Sequence, residues 1–188
     1  MLAGCSEESP AQKAAEQTPS DPPNYARDSG STPKKSSDTT PEPTPLNPLE
    51  RRKLLRTYND GVDAQNNGMR ARERGVDSWN NDAYGSAKRT FASAEEDFRK
   101  AKDEFQDAEQ IAFEINHRQA QEFCDVAIEY TSVWIDAMRA SQRMASAGSA
   151  GNGEEANRHL ETIRQLEREA GRINIRNTTT LEAALDLD

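Results

Sequence analysis

The chain has 188 residues and a formal net charge of −9, with a pI near 4.9, a balance that opposes general nucleic-acid binding, which needs a basic footprint. Hydrophobic residues make up 34% and charged residues 30%, which is lean for a compact globule along its whole length. No run approaches the roughly 18 consecutive apolar residues of a membrane span.

The deficit is local. All 9 prolines fall between Pro10 and Pro48. Residues 6–47 are also rich in Ser, Thr and Glu and nearly devoid of large apolar side chains. Such a segment cannot bury enough surface to offset the entropy of ordering it, so it reads as a disordered tether. Residues 48–188 remain, enough for one core of ordinary domain size.

Ahead of the tether, Leu2-Ala3-Gly4-Cys5 sets small residues beside a cysteine and an aliphatic one three positions before it. Residues 1–5 resemble the lipobox at which bacterial and archaeal lipoprotein precursors are cut and lipidated. The resemblance implies a lipid on Cys5, anchorage in the cell membrane and an extracytoplasmic location. A secretory signal also carries a basic region and an apolar stretch of roughly 7–15 residues. Only Met1 precedes the tetrapeptide, so these are expected in codons upstream, unless the match is accidental.

The folded part is expected to be all-α: an antiparallel bundle of four long amphipathic helices. Asn47 as N-cap, Pro48 at the first position and Glu50 reaching back to the Asn47 amide open a helix over about 48–80. Its apolar stripe is Leu55, Val62, Met69 and Val76, seven residues apart, with Tyr58 and Trp79 beside it. Gly61, Gly68 and Gly75 recur at the same interval. Each costs roughly 1 kcal/mol against Ala inside a helix, so the row forms either a smooth groove for a close neighbour, such as the alanine seam of the second helix, or a break at Asn66-Asn67-Gly68.

A second helix over about 82–116, capped by Asp82, has the clearest pattern. Tyr84, Phe91, Phe98 and Phe105 alternate with Ala87, Ala94, Ala101, Ala108 and Ile115 over four heptads. Glu95, Glu96, Asp97, Asp103, Glu104, Asp107 and Glu109 occupy its wet face. A third helix over about 118–147 carries Ala120, Phe123, Ala127, Tyr130, Trp134, Ala137, Ser141 and Met144, four residues out of register with the second. A turn near Asn116-His117 accounts for the shift and gives segments of similar length. After the loop at 148–153, a fourth helix over about 154–176 has Ala156, Leu160, Ile163, Leu166, Ala170 and Ile173 on one face. Thr179 and Glu182 are expected to cap a short helix over about 180–186.

Chemistry is scarce. Glu114-x-x-His117 resembles the Glu-x-x-His pair of ferritin-like di-iron bundles. No second Glu-x-x-His occurs, and the stripe through Ala112 and Ile115 turns both residues from the core, so no metal or other cofactor is expected. His159 borders the apolar face of the fourth helix as an ordinary half-exposed histidine. Cys124 reads as a small semi-buried hydrophobe. The pairs Glu95-Glu96 and Glu154-Glu155 point apart on a helix. Without a phosphate loop, nucleophile elbow or zinc spacing, catalysis is not expected.

Two features point outward. Arg164, Arg168, Arg172 and Arg176 form an i, i+4 ladder whose mutual repulsion requires counter-charge. Glu161, Glu167 or the acidic face of the second helix would supply it, or the ladder docks an anionic partner such as lipid head groups, a glycan or a protein. Asn177-Thr178-Thr179 is a lone glycosylation sequon, with Asn177 the acceptor. The leading expectation is a lipid-anchored binding or scaffolding protein that is not an enzyme. Its rivals are an intracellular coiled-coil adaptor with an accidental lipobox, and a small-ligand carrier whose aromatic layers leave a cavity of roughly 300 Å³ or more.

Overall fold

The computed structural model describes residues 47–175 and 178–187, which form five helices and, among the described residues, no strand. They are α1 (Pro48–Asn80), α2 (Tyr84–Glu114), α3 (Arg118–Ser149), α4 (Gly153–Ala170) and α5 (Thr178–Ala184). The helical-bundle expectation holds. Cys5, the expected tether up to residue 46, Arg176 and Asn177 lie outside the described residues.

Asn47 caps α1 by accepting a bond from the Leu49 amide at 3.0 Å. The Glu50 side chain is exposed and makes no return bond to the Asn47 amide, so the cap is one-sided rather than the expected box. The helix runs unbroken through Asn66-Asn67-Gly68, which overturns the reading of a break there. Its buried row is Leu54, Tyr58, Gly61, Ala64, Gly68, Ala71 and Gly75. The stripe expected to carry the core, Leu55, Val62, Met69 and Val76, is only half-buried.

The glycines occupy the centre because each receives a phenylalanine ring. A Cβ on Gly61, Gly68 or Gly75 would lie 2.7, 3.0 or 2.5 Å from Phe105, Phe98 or Phe91, respectively. The two heptad rows run in opposite directions, which makes α1 and α2 antiparallel. The groove is real, but the aromatic row fills it, not the alanine row.

Two tight turns reverse the chain without glycine or proline. Asp82 and Asn116 both adopt φ 56°. Asp and Asn tolerate this left-handed region better than other side-chain-bearing residues. Asp82 is thereby turned out of the expected cap: the N-cap of α2 is Ala83, which makes no side-chain cap bond, and Asp82 instead accepts from the Tyr84 hydroxyl at 2.6 Å. At the second turn His117 caps α3, its Nδ1 accepting from the Ala120 amide at 3.1 Å. The second and third helices are therefore separate.

α3 is buried on more than the one expected stripe. Beside Phe123, Trp134 and Met144, a second row of Cys124, Thr131, Met138 and Ala145 is buried at seven-residue spacing. The reason is position: α3 packs against α2 on one side and α4 on the other. Thr131 and Ser141 satisfy their buried hydroxyls by donating to the carbonyls of Ala127 (2.5 Å) and Ala137 (2.8 Å).

The fourth leg departs most from expectation. α4 stops at Ala170 with Gly171 as C-cap, well short of residue 176. The chain then turns, Ile173 still packing on the core, and α5 closes the far end of the bundle. Leu181 and Leu185 are fully buried beside Leu54, Tyr58, Phe105 and Cys124. Arg51 Nη1 donates to the Leu185 carbonyl at 2.9 Å, and His117 Nε2 lies 3.1 Å from the Ala184 carbonyl. Since His117 Nδ1 accepts, Nε2 carries the proton and donates. One histidine thus ties the α2–α3 turn to α5.

Candidate functional site

Three of the four arginines in the ladder, Arg164, Arg168 and Arg172, lie among the described residues. Arg164 and Arg168 lie on α4, each with 59% of its side chain exposed, and both lean on one carboxylate, Glu161, at 3.8 and 3.5 Å. Arg172 lies past the helix end, beside a surface hollow lined by Glu122, Glu129 and Glu169. Glu167 turns the other way and pairs with Arg72 of α1. Counter-charge therefore comes from α4 itself, while the acidic face of α2 serves α3.

That service centres on Glu95. Its side chain is 13% exposed and accepts from Arg99 (2.6 Å) on its own helix and from Arg139 (3.0 Å) and Gln142 (2.7 Å) on α3. Burial pushes its carboxyl up, but the bonds from Arg99, Gln142 and Arg139 outweigh burial and hold it below the ordinary carboxylate value. A folded-state pKa below the unfolded one stabilises the fold above the unfolded value, and that contribution is lost as pH falls through the folded value. Glu95→Gln is expected to cost about 1–2 kcal/mol at neutral pH. In urea titrations across the acid range, the gap between variant and wild type should close; a gap independent of pH would refute the ionic role.

Other titratable groups are spoken for by packing. Cys124 is fully buried, and burial, followed by the charges of Glu109 and Asp125, pushes its thiol up to about 12, which leaves it protonated and unreactive at neutral pH. Glu109 on α2 faces Asp125 on α3, and burial and that neighbouring charge push its carboxyl up. Sequence spacing could not show this pair, because its members come from different helices. Glu114 accepts from Gln110 at 2.9 Å on the exposed face, while His117 turns to α5, so the two do not converge. His159 sits 3.8 Å from Glu155. Among the described residues, no group of three or more His, Cys, Asp or Glu side chains is placed to hold a metal ion.

The site with the most distinct geometry is a crevice between α1 and α4. It has a volume of about 330 Å³. The backbones of α1 and α4 do not meet, so side chains alone close the space. Phe91, Met144 and Ser141 form its floor, and Val76, Trp79, Leu160 and Ile163 its walls. The Arg72–Glu167 ion pair bridges the two helices, and the Arg72 guanidinium also stands 5.0 Å from the ring centre of Trp134. Trp79 is wedged against Tyr84, ring centres 4.8 Å apart, and against Gly148, where a Cβ would come within 2.7 Å of its ring. This is not the cavity expected within the aromatic layers. Phe91, Phe98 and Phe105 fill their places against the glycine row, and of that set only Phe91 touches the crevice.

No protein-family model, curated protein or solved structure matches the chain.

Proposed function

We propose that the protein is a lipid-anchored, extracytoplasmic lipoprotein of the cell membrane whose helical bundle binds or scaffolds and does no catalysis. The observation that carries this reading is the order of parts: Leu2-Ala3-Gly4-Cys5, then the proline-rich polar stretch of residues 6–47, then a bundle that opens sharply at Asn47. A tether of that composition lets a folded domain reach away from a surface while its lipid stays in the bilayer. Its partner is a protein or glycan met outside the membrane, with no nucleic acid and no cofactor. Arg164, Arg168 and Arg172, with Arg176 next in the sequence interval, supply cationic contacts to such a partner, and the Asn177-Thr178-Thr179 sequon makes Asn177 the candidate glycosylation acceptor. No helix among the described residues is long and apolar enough to cross a membrane.

The test is fractionation of the product expressed from its native upstream region. Wild type should enter the detergent phase with the added mass of a lipid. Cys5→Ser should remain aqueous and folded. Identical partitioning of the two would sink the lipoprotein reading.

A further inference from the structure

We propose that the crevice between α1 and α4 binds a small amphiphilic anion, an aliphatic carboxylate, with its tail on Phe91, Met144 and Ile163 and its head group at Arg164. The inference rests on the binding-module half of the proposed function and is independent of the anchor on Cys5.

Size and lining come first. At about 330 Å³ the crevice falls within the range of small-molecule sites, and its lining is amphiphilic, about half apolar side chains and half polar or charged ones. It is held open by construction. α1 and α4 are kept apart by side chains, with the Arg72–Glu167 bridge across the gap and Trp79 fixed over Gly148. Filling such a space with an apolar tail removes hydrocarbon from water on both sides of the contact.

Charge selects the head group. Two arginines, Arg72 and Arg164, line the crevice against one carboxylate, Glu167. Arg72 is committed to Glu167 and to the face of Trp134. Arg164 is the less firmly held cation of the two: its contact to Glu161 spans 3.8 Å, and Arg168 is closer to that same carboxylate. A planar carboxylate at the rim matches the guanidinium fork. Orientation follows from the floor. The Ser141 hydroxyl already donates its hydrogen bond to the Ala137 carbonyl, so the floor residues Phe91, Ser141 and Met144 offer an anion no spare donor. Head at the rim and tail on the floor is the arrangement the polar groups permit.

The test uses the full-length chain carrying Cys5→Ser, so the result does not depend on lipidation. Octanoate, octanol and octylamine are titrated while tryptophan fluorescence is followed, since Trp79 stands in the crevice wall. Octanoate is expected to bind saturably with a Kd below about 1 mM. Octanol should bind at least about tenfold more weakly and octylamine more weakly still. Arg164→Gln, a change at an exposed side chain that leaves the core alone, should bring octanoate to the level of octanol. Ile163→Phe, which fills the crevice, should abolish the saturable signal. The proposal is overturned if octanoate gives no saturable signal, if octanol binds as well as octanoate, or if Arg164→Gln leaves their ratio unchanged. Any of these results leaves the partitioning of Cys5→Ser where it was.

Discussion

Phe98→Ala is expected to destabilise the bundle by about 3–5 kcal/mol, toward the upper end for emptying a buried aromatic site. The Phe98 ring is fully buried, stacks on Trp134 with ring centres 5.8 Å apart and planes 13° apart, and lies over Gly68. Its removal leaves a void bordered by a residue with no side chain to move into it. Collapse is what softens such substitutions, and here the glycine side cannot collapse. The loss is a large share of the roughly 5–15 kcal/mol that holds an ordinary domain together. Lys100→Ala, two residues on but exposed, should stay within about 0.5 kcal/mol. Urea midpoints of the two variants decide the matter: equal midpoints would mean that the aromatic row does not carry the core.

Much of this fold could be read from spacing alone. The phenylalanine and alanine rows of α2 are buried where seven-residue periodicity put them, and the turn at Asn116 separates the two helices whose registers disagree. The stripe on α1 was misplaced by one residue for a physical reason. Hydropathy assigns the core to the largest apolar side chains, Leu55, Val62, Met69 and Val76, whereas the centre of the α1–α2 contact is set by which backbone can approach a ring most closely. Glycine carries no hydropathy signal. Its signal is the cost of placing it in a helix, repeated three times in register. α3 buries more than its single periodic stripe because a helix packed on two sides loses the narrow stripe that periodicity detects. The end of α4 was misplaced because Ile173 continues the apolar face beyond Gly171 even though the backbone has already turned.

The candidate site was less legible, since its parts meet only in three dimensions. The arginine ladder is visible as an interval, but how firmly Arg164 and Arg168 are held depends on where Glu161 and Glu167 point, and Glu167 points to α1. Glu95 is one acid among seven on the expected wet face, and nothing in its local sequence distinguishes it. Its role comes from Arg139 and Gln142, more than forty positions away. His117 serves as the cap of α3 and the latch of α5, roles that its spacing from Glu114 does not reveal. The crevice owes its existence to α1 and α4 standing apart, a distance that no one-dimensional pattern records.

Gly75→Val is expected to cost about 1–3 kcal/mol or more, and the sign of the effect is the informative part. In an exposed helix interior, replacing glycine gains stability, by roughly 1 kcal/mol for alanine, because the unfolded chain loses freedom and the helix gains a better former. At Gly75 the first added atom would come within 2.5 Å of the Phe91 ring, and that ring is 1% exposed, with the α1–α2 interface on one side and the crevice floor on the other. Overpacking therefore wins over propensity. The helices must separate or the ring must leave its rotamer, and valine adds two further atoms and a stiff χ1 to the conflict. Gly85, near the start of α2, is the control. An added Cβ there meets only the tip of Arg89, at 3.9 Å, so Gly85→Ala is expected to be neutral or stabilising by a few tenths of a kcal/mol. A double-mutant cycle isolates the contact: Gly75→Val combined with Phe91→Leu should be less destabilised than the sum of the two single variants, because the smaller side chain vacates the space the valine needs. Strict additivity in thermal or urea unfolding would show that the glycine row and the aromatic row do not interlock, and the close approach of α1 and α2 would need another cause.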